Sequence, residues 1–236
     1  MIMPNHRGCG MVSVFRTVSG SRPFKIRNMP IPVIALRLLF SALTLFAIAT
    51  QFSIHIALGF SAINFFSYFT NLSNLFAAVV FGATALLWVK VQKTSHAADL
   101  VRGISVVNMV VVGIVFALLL RNVDLGSLLP WVNFLLHYVM PIVVLLDWLL
   151  APPQIRFTFR QVLLCQVVPL VYLAYILVRG AAVNWYPYPF LNPAKVGGYG
   201  GVALYALGIS IVFFFSAWIL LTLGNRMGVR EKFERT

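Results

Sequence analysis

The sequence predicts an all-α polytopic membrane protein, a bundle of six transmembrane helices, and three observations carry that prediction. The 236 residues are 61% hydrophobic and 10% charged, with a mean hydropathy of +0.92, far too apolar for a water-soluble domain. Six stretches approach the roughly 20 apolar residues needed to cross a hydrocarbon core of about 30 Å, and such spans must be helical because lipid offers the backbone no hydrogen-bond partner. The basic residues also sort by connecting segment. With the N-terminus inside, fifteen of the eighteen Lys and Arg fall on the inner side, and only Arg121, Arg179 and Lys195 lie outside.

That last asymmetry accounts for the formal charge of +13, which would otherwise suggest nucleic acid. Here it places both termini in the cytoplasm by the positive-inside rule, with attraction to anionic inner-leaflet lipid as a secondary effect. The expected setting is a bacterial inner (plasma) membrane. Membrane lipid is the expected surroundings and substrate, no nucleic-acid partner or cofactor is expected, and oligomeric state is left open.

In order along the chain, residues 1–28 are polar, basic and rich in Gly and Ser. They are expected to form a flexible cytoplasmic tail, or to reflect an over-long start, and do not resemble a signal peptide. Residues 29–225 are the expected six-helix domain, with spans at 31–57, 64–89, 97–120, 131–150, 161–179 and 199–223, and residues 226–236 a second basic tail. Cys9 and Cys165 fall in the tail and in span five, so neither a disulfide nor a metal spacing is indicated.

The first external link, around Gly59, is tight. Beyond the basic internal link, Asp99 and Arg102 have the i, i+3 spacing of an ion pair. Pro130 stands where a helix can begin, and Pro152 and Pro153 end span four. The longest loop, RGAAVNWYPYPFLNPAKVGGYGG, lies outside and is dense in aromatics and prolines. A headgroup belt is the favoured role for its rings, with a lid over an external cavity as the alternative. Gly197 and Gly201 have the GxxxG spacing of close helix packing.

Polar groups inside a membrane helix are costly, so their positions inform most. Asn64, Ser67, Thr70, Asn71 and Asn74 would form one stripe on a continuous span two, facing the bundle interior; taken singly, the asparagines suit interhelical hydrogen bonds. Thr70 and His137 each stand six residues from the outer end of their spans, so both lie about 9 Å below the external boundary. A threonine hydroxyl becomes a useful nucleophile when a base removes its proton, and a neutral imidazole supplies one. Asn133, one turn before His137, could orient the ring. Asp147 lies about 15 Å deeper than His137 along span four, so it completes no triad and is expected to anchor the inner boundary by pairing with Arg156, Arg160 or Arg102. The bland alternative for His137 is a structural histidine.

FSYFTNLSNLF in span two, NFLLHYVMPIVVLLDWLL in span four and the YPYPFLNP loop together resemble the prokaryotic predicted six-transmembrane family, which is related to the eukaryotic androgen-induced protein family. The resemblance covers nearly the whole chain after the tail, although the residues flanking Thr70 and His137 differ. It implies a multipass threonine hydrolase that cleaves fatty acid esters of hydroxy fatty acids, with Thr70 and His137 as the essential pair. The expected activity is therefore intramembrane lipid ester hydrolysis, with Thr70 and His137 catalytic, Ser67 and Asn133 in the substrate site, and Asn71 or Asn74 as amide donors to the oxyanion. The competing classes are transport along the span-two stripe, haem held between His55 and His137, and an assembly protein without chemistry.

Overall fold

The computed structural model describes residues 30–91, 95–123 and 127–233, with side chains as far as residue 228. It is an all-α bundle with six helices long and apolar enough to cross a membrane. In chain order the helices are α1 (Ile31–Ala57), the short α2 (Ala62–Phe66), α3 (Phe69–Val91), α4 (His96–Leu120), α5 (Pro130–Leu150), α6 (Phe159–Val183) and α7 (Tyr199–Phe233). Pro130 opens α5 as its first residue, where its missing N–H is no loss. The residue 1–28 tail and Cys9 lie outside the described residues.

Helix α4 is the axis of the bundle, packing against α3, α5 and α7, while α1 packs on α3 and α6 on α7. Its composition allows this. Gly103, Ser105, Val106, Val107, Val111 and Val112 are all buried, and small or β-branched side chains let three neighbours approach one helix closely. Large apolar residues on the outer flanks, such as Leu118, Val171, Val178 and Leu204, stay exposed. In lipid this costs nothing, because acyl tails are as apolar as leucine.

Near the end of the bundle where the chain enters α1 and leaves α7, four charged side chains form a closed network. Asp147 of α5 takes both Nε and an Nη of Arg37 of α1, at 2.6 and 3.0 Å. The same carboxylate accepts from Arg102 of α4 at 3.1 Å. Arg102 also pairs with Asp99 at 3.2 Å, the expected i, i+3 partner. Asp99 is capped in turn by the Gln154 amide at 2.7 Å. Two arginines and two aspartates cancel, which is how charge is tolerated at such depth. Of the partners expected for Asp147 only Arg102 is one. Arg156 and Arg160 give way to Arg37, which belongs to a helix distant in sequence and so could not be found by proximity along the chain.

Span two departs from the continuous helix 64–89. It breaks between Phe66 and Phe69 into α2 and α3, and the carbonyls freed by such a break need new donors. The polar residues of FSYFTN supply them. Ser67 Oγ donates to the Ile63 carbonyl at 2.7 Å, Asn71 Nδ2 donates to the Phe65 carbonyl at 2.8 Å, and the Tyr172 hydroxyl of α6 donates to the Ser67 carbonyl at 2.8 Å. Part of the expected stripe is thus the hardware of a helix break.

The loop after α6 turns inward at Tyr188 and Phe190, which departs from the headgroup-belt role for these two rings, while Trp185 and Tyr186 stay half-buried. Asn184 ends α6 in the left-handed region, at φ +52°, and Tyr188, Phe190 and Leu191 are buried against Phe116 and Leu120 of α4, Ile176 of α6 and Val202 of α7. The Tyr188 and Phe190 rings stack at 5.1 Å. Gly197 also differs from expectation: it precedes α7, with φ +78°. A Cβ on Gly201 would strike the Val196 carbonyl. This pair closes a tight turn into α7 and makes no helix–helix seam. Gly180 faces the Tyr186 ring with no room for a Cβ, so Gly180→Ala is expected to displace the loop and cost about 1–3 kcal/mol. Thermal unfolding of the purified variant checks this.

Candidate active site

Toward the opposite end of the bundle from the ion network, a cavity of about 430 Å3 has Thr70, Asn71, His137, His55, Tyr188 and Lys195 among its lining residues. Thr70 reaches it as the second residue of α3. It is therefore not six residues down a continuous helix. It stands in the first turn of a helix, where backbone N–H groups lack intrahelical acceptors and the helix dipole presents its positive end. The Thr70 N–H donates to the Tyr188 hydroxyl at 3.3 Å, and the Thr70 and Tyr188 hydroxyls lie 3.5 Å apart. Tyr188 is nearly fully buried. Burial pushes its hydroxyl above the ordinary tyrosine range and the Thr70 contacts draw it part of the way back, so it keeps its proton at neutral pH.

His137 sits in a π turn, Leu135–Val139, in the middle of α5. A π turn shifts the ladder from i+4 to i+5 and re-aims the side chains it carries. The ring is stacked on Phe116, with centroids 4.0 Å apart. Its Nδ1 lies 3.1 Å from the Asn133 carbonyl; a carbonyl only accepts, so Nδ1 holds the proton and Nε2 of the neutral ring keeps its lone pair. The orienting group is the Asn133 backbone, since the Asn133 side-chain oxygen is buried without a hydrogen bond.

Thr70 and His137 thus line one cavity, and among the described residues no hydrogen bond joins them. The other candidates separate by role. Asn71 lines the cavity, with one amide hydrogen committed to Phe65. Asn74 donates both amide hydrogens, to the carbonyls of Thr70 at 3.0 Å and Leu136 at 3.1 Å. It ties α3 to α5 beside both key residues and has no N–H left for an oxyanion. Ser67 is buried between the Ile63 carbonyl and the Tyr175 hydroxyl, which makes it part of the helix break. His55 lines the cavity with Nε2 on the Ser61 carbonyl. Among the described residues, no group of three His, Cys, Asp or Glu side chains could hold a metal ion.

Tyr188 was not picked out in the sequence as a site residue. The signal available was YPYPF itself, where prolines restrict the backbone on both sides of Tyr188, but its contact with Thr70 spans 118 positions. Comparison of the chain with protein-family models, with curated proteins and with solved structures finds no match.

Proposed function

We propose that this protein is an intramembrane lipid ester hydrolase in which Thr70 is the nucleophile and His137 the general base, acting on fatty acid esters of hydroxy fatty acids or similar lipids. The observation that carries the reading is the position of Thr70: a hydroxyl at the start of α3, on the wall of a cavity that also holds a histidine with Nε2 available. His137 Nε2 takes the Thr70 proton as the hydroxyl oxygen adds to the ester carbonyl. The negative charge that develops on the carbonyl oxygen is met by the positive end of the α3 dipole and the remaining amide hydrogen of Asn71. The tetrahedral adduct collapses, the C–O bond to the alcohol breaks, and the imidazolium gives its proton to the departing oxygen. Water, deprotonated by the same imidazole, then adds to the acyl carbonyl; the C–O bond to Thr70 breaks, the acid leaves, and the imidazolium returns its proton to the Thr70 oxygen.

The direct test incubates purified protein in lipid nanodiscs with a panel of lipid esters and follows released fatty acid. Fatty acid release by wild type and none by Thr70→Ala supports the reading, and intact esters throughout refute it. Tyr188→Phe removes one hydrogen bond from the Thr70 amide and hydroxyl. It is expected to lower kcat about two- to tenfold with KM little changed, the equivalent of about 0.5–1.5 kcal/mol.

The proposed setting is a bacterial inner membrane with both termini in the cytoplasm, supported by the distribution of basic residues. Reporter fusions at Thr236 and between Asn184 and Pro193 are expected to read out on opposite sides. Signals from the same side would overturn the orientation.

A further inference from the structure

A second hollow, about 80 Å3 and almost wholly apolar, runs between α4, α6 and α7. Only Thr70, Leu120 and Tyr188 line both this crevice and the larger cavity, so the Thr70–Tyr188 hydroxyl pair stands on the partition. The two sides differ in chemistry. The larger cavity has His55, Asn64, Gln51 and Lys195 in its wall, whereas the crevice is walled by valine, leucine, proline and aromatic side chains apart from the hydroxyls of Ser210, Tyr172, Tyr188 and Thr70. Such a surface has little to offer a polar group and suits a hydrocarbon.

The crevice follows the bundle lengthwise. Along α7 its lining runs from Ala206 to Phe213, an advance of about 10 Å at the helical rise. Val111, Pro169 and Phe213 are its deepest residues on α4, α6 and α7. Phe213 is held there edge-on by Phe69, with centroids 5.8 Å apart. Pro169 lies inside α6, where it removes a ladder hydrogen bond and crowds the preceding turn. The crevice lies beside the two least buried spans, with 17% and 22% of the most apolar stretches of α6 and α7 buried.

We infer that the crevice is an acyl-chain site: one unbranched chain of the ester lies along it with its terminal methyl toward Phe213, and the alcohol portion occupies the larger cavity. This assignment rests on Thr70 as the nucleophile, because it puts the ester carbonyl at the partition. Lys195 at the other side favours an alcohol portion that carries negative charge, such as a free carboxylate. Phe213 sets the maximum chain length and Ala206 the width of the passage.

The test has an activity arm and a binding arm. In the first, Phe213→Ala is expected to raise the ratio of long-chain to short-chain ester hydrolysis at least tenfold, and Ala206→Phe to lower it by a similar factor. Unchanged ratios in both variants overturn the acyl site. In the second, a fatty acid bearing a diazirine at its methyl end is photolysed with wild-type protein in nanodiscs. Saturable labelling of Ser210 and Phe213, lost in Ala206→Phe, supports the site, while non-saturable labelling confined to the lipid-facing Leu207 and Ile211 overturns it. The arms separate the two proposals. Saturable labelling without hydrolysis of any ester leaves the acyl site standing and removes the hydrolase; hydrolysis with unaltered chain-length preference and no saturable labelling does the reverse.

Discussion

Thr70→Ala is expected to abolish release of fatty acid from lipid esters and to abolish covalent capture by a fluorophosphonate probe. An unactivated threonine does not react with such a probe, whereas one whose proton passes to a neighbouring imidazole in a water-poor pocket does. His137→Ala is expected to lower the rate by about 10²- to 10⁴-fold, the range for loss of a general base. The double variant should be no slower than Thr70→Ala alone, since groups acting as a unit lose most of the rate when either goes. Folding should survive the threonine change. The Thr70 side chain touches the Tyr188 hydroxyl, while the helix break beside it is held by Ser67, Asn71 and Tyr172. Thr70→Ser is the positive control, because it keeps the hydroxyl. Wild-type protein that stays unlabelled, or a Thr70→Ala variant that remains active, removes Thr70 from the chemistry.

Asp147→Asn is expected to have the largest effect on stability, about 3–5 kcal/mol, the cost of leaving buried charge without its partner. Asp147 joins Arg37 and Arg102, whose side chains are 1% and 4% exposed. Arg37→Met should cost a similar amount, because it frees the carboxylate from its two-pronged partner. Arg156→Met and Arg160→Met, outside the network, should stay within about 0.5 kcal/mol. Thermal unfolding in detergent, with recovery of folded protein as a second readout, checks all four. An Asp147→Asn variant as stable as Arg160→Met would show that the network contributes nothing. Replacing Arg37 and Asp147 together by apolar residues should restore part of the loss, since the desolvation of both charges disappears with them.

The two ends of the bundle divide the work. One end carries the Arg37–Asp147–Arg102–Asp99 network and the other holds the Thr70 cavity, with a loop folded against it. In lipid, packing and polar contacts hold helices together without a hydrophobic drive between them. Toward the other end the Thr70 cavity and the apolar crevice enclose space. Under the hydrolase proposal, that space is where a lipid leaves its tail in the crevice and offers its ester at Thr70.

Six helices, their approximate ends, the Asp99–Arg102 pair and the helix starts and stops at the prolines were legible in the sequence, because each depends on neighbours within one or two turns or on the solvent that surrounds every span alike. A run of apolar residues in lipid must satisfy its own backbone, so it must be helical whatever it packs against. Thr70 and His137 were legible as polar residues at matched positions, but the break in span two that puts Thr70 at a helix start was not. FSYFTN has no glycine or proline to mark a break; its own Ser67 and Asn71 satisfy two of the freed carbonyls, and Tyr172, from another helix, satisfies a third. Tyr188, the spending of both Asn74 amide hydrogens, the choice of Arg37 by Asp147 and the inward fold of the aromatic loop were decided in the same way by tertiary contact. Local pattern sets what each segment becomes, whereas which polar groups meet depends on how helices separated by 40 to more than 100 residues rotate against one another.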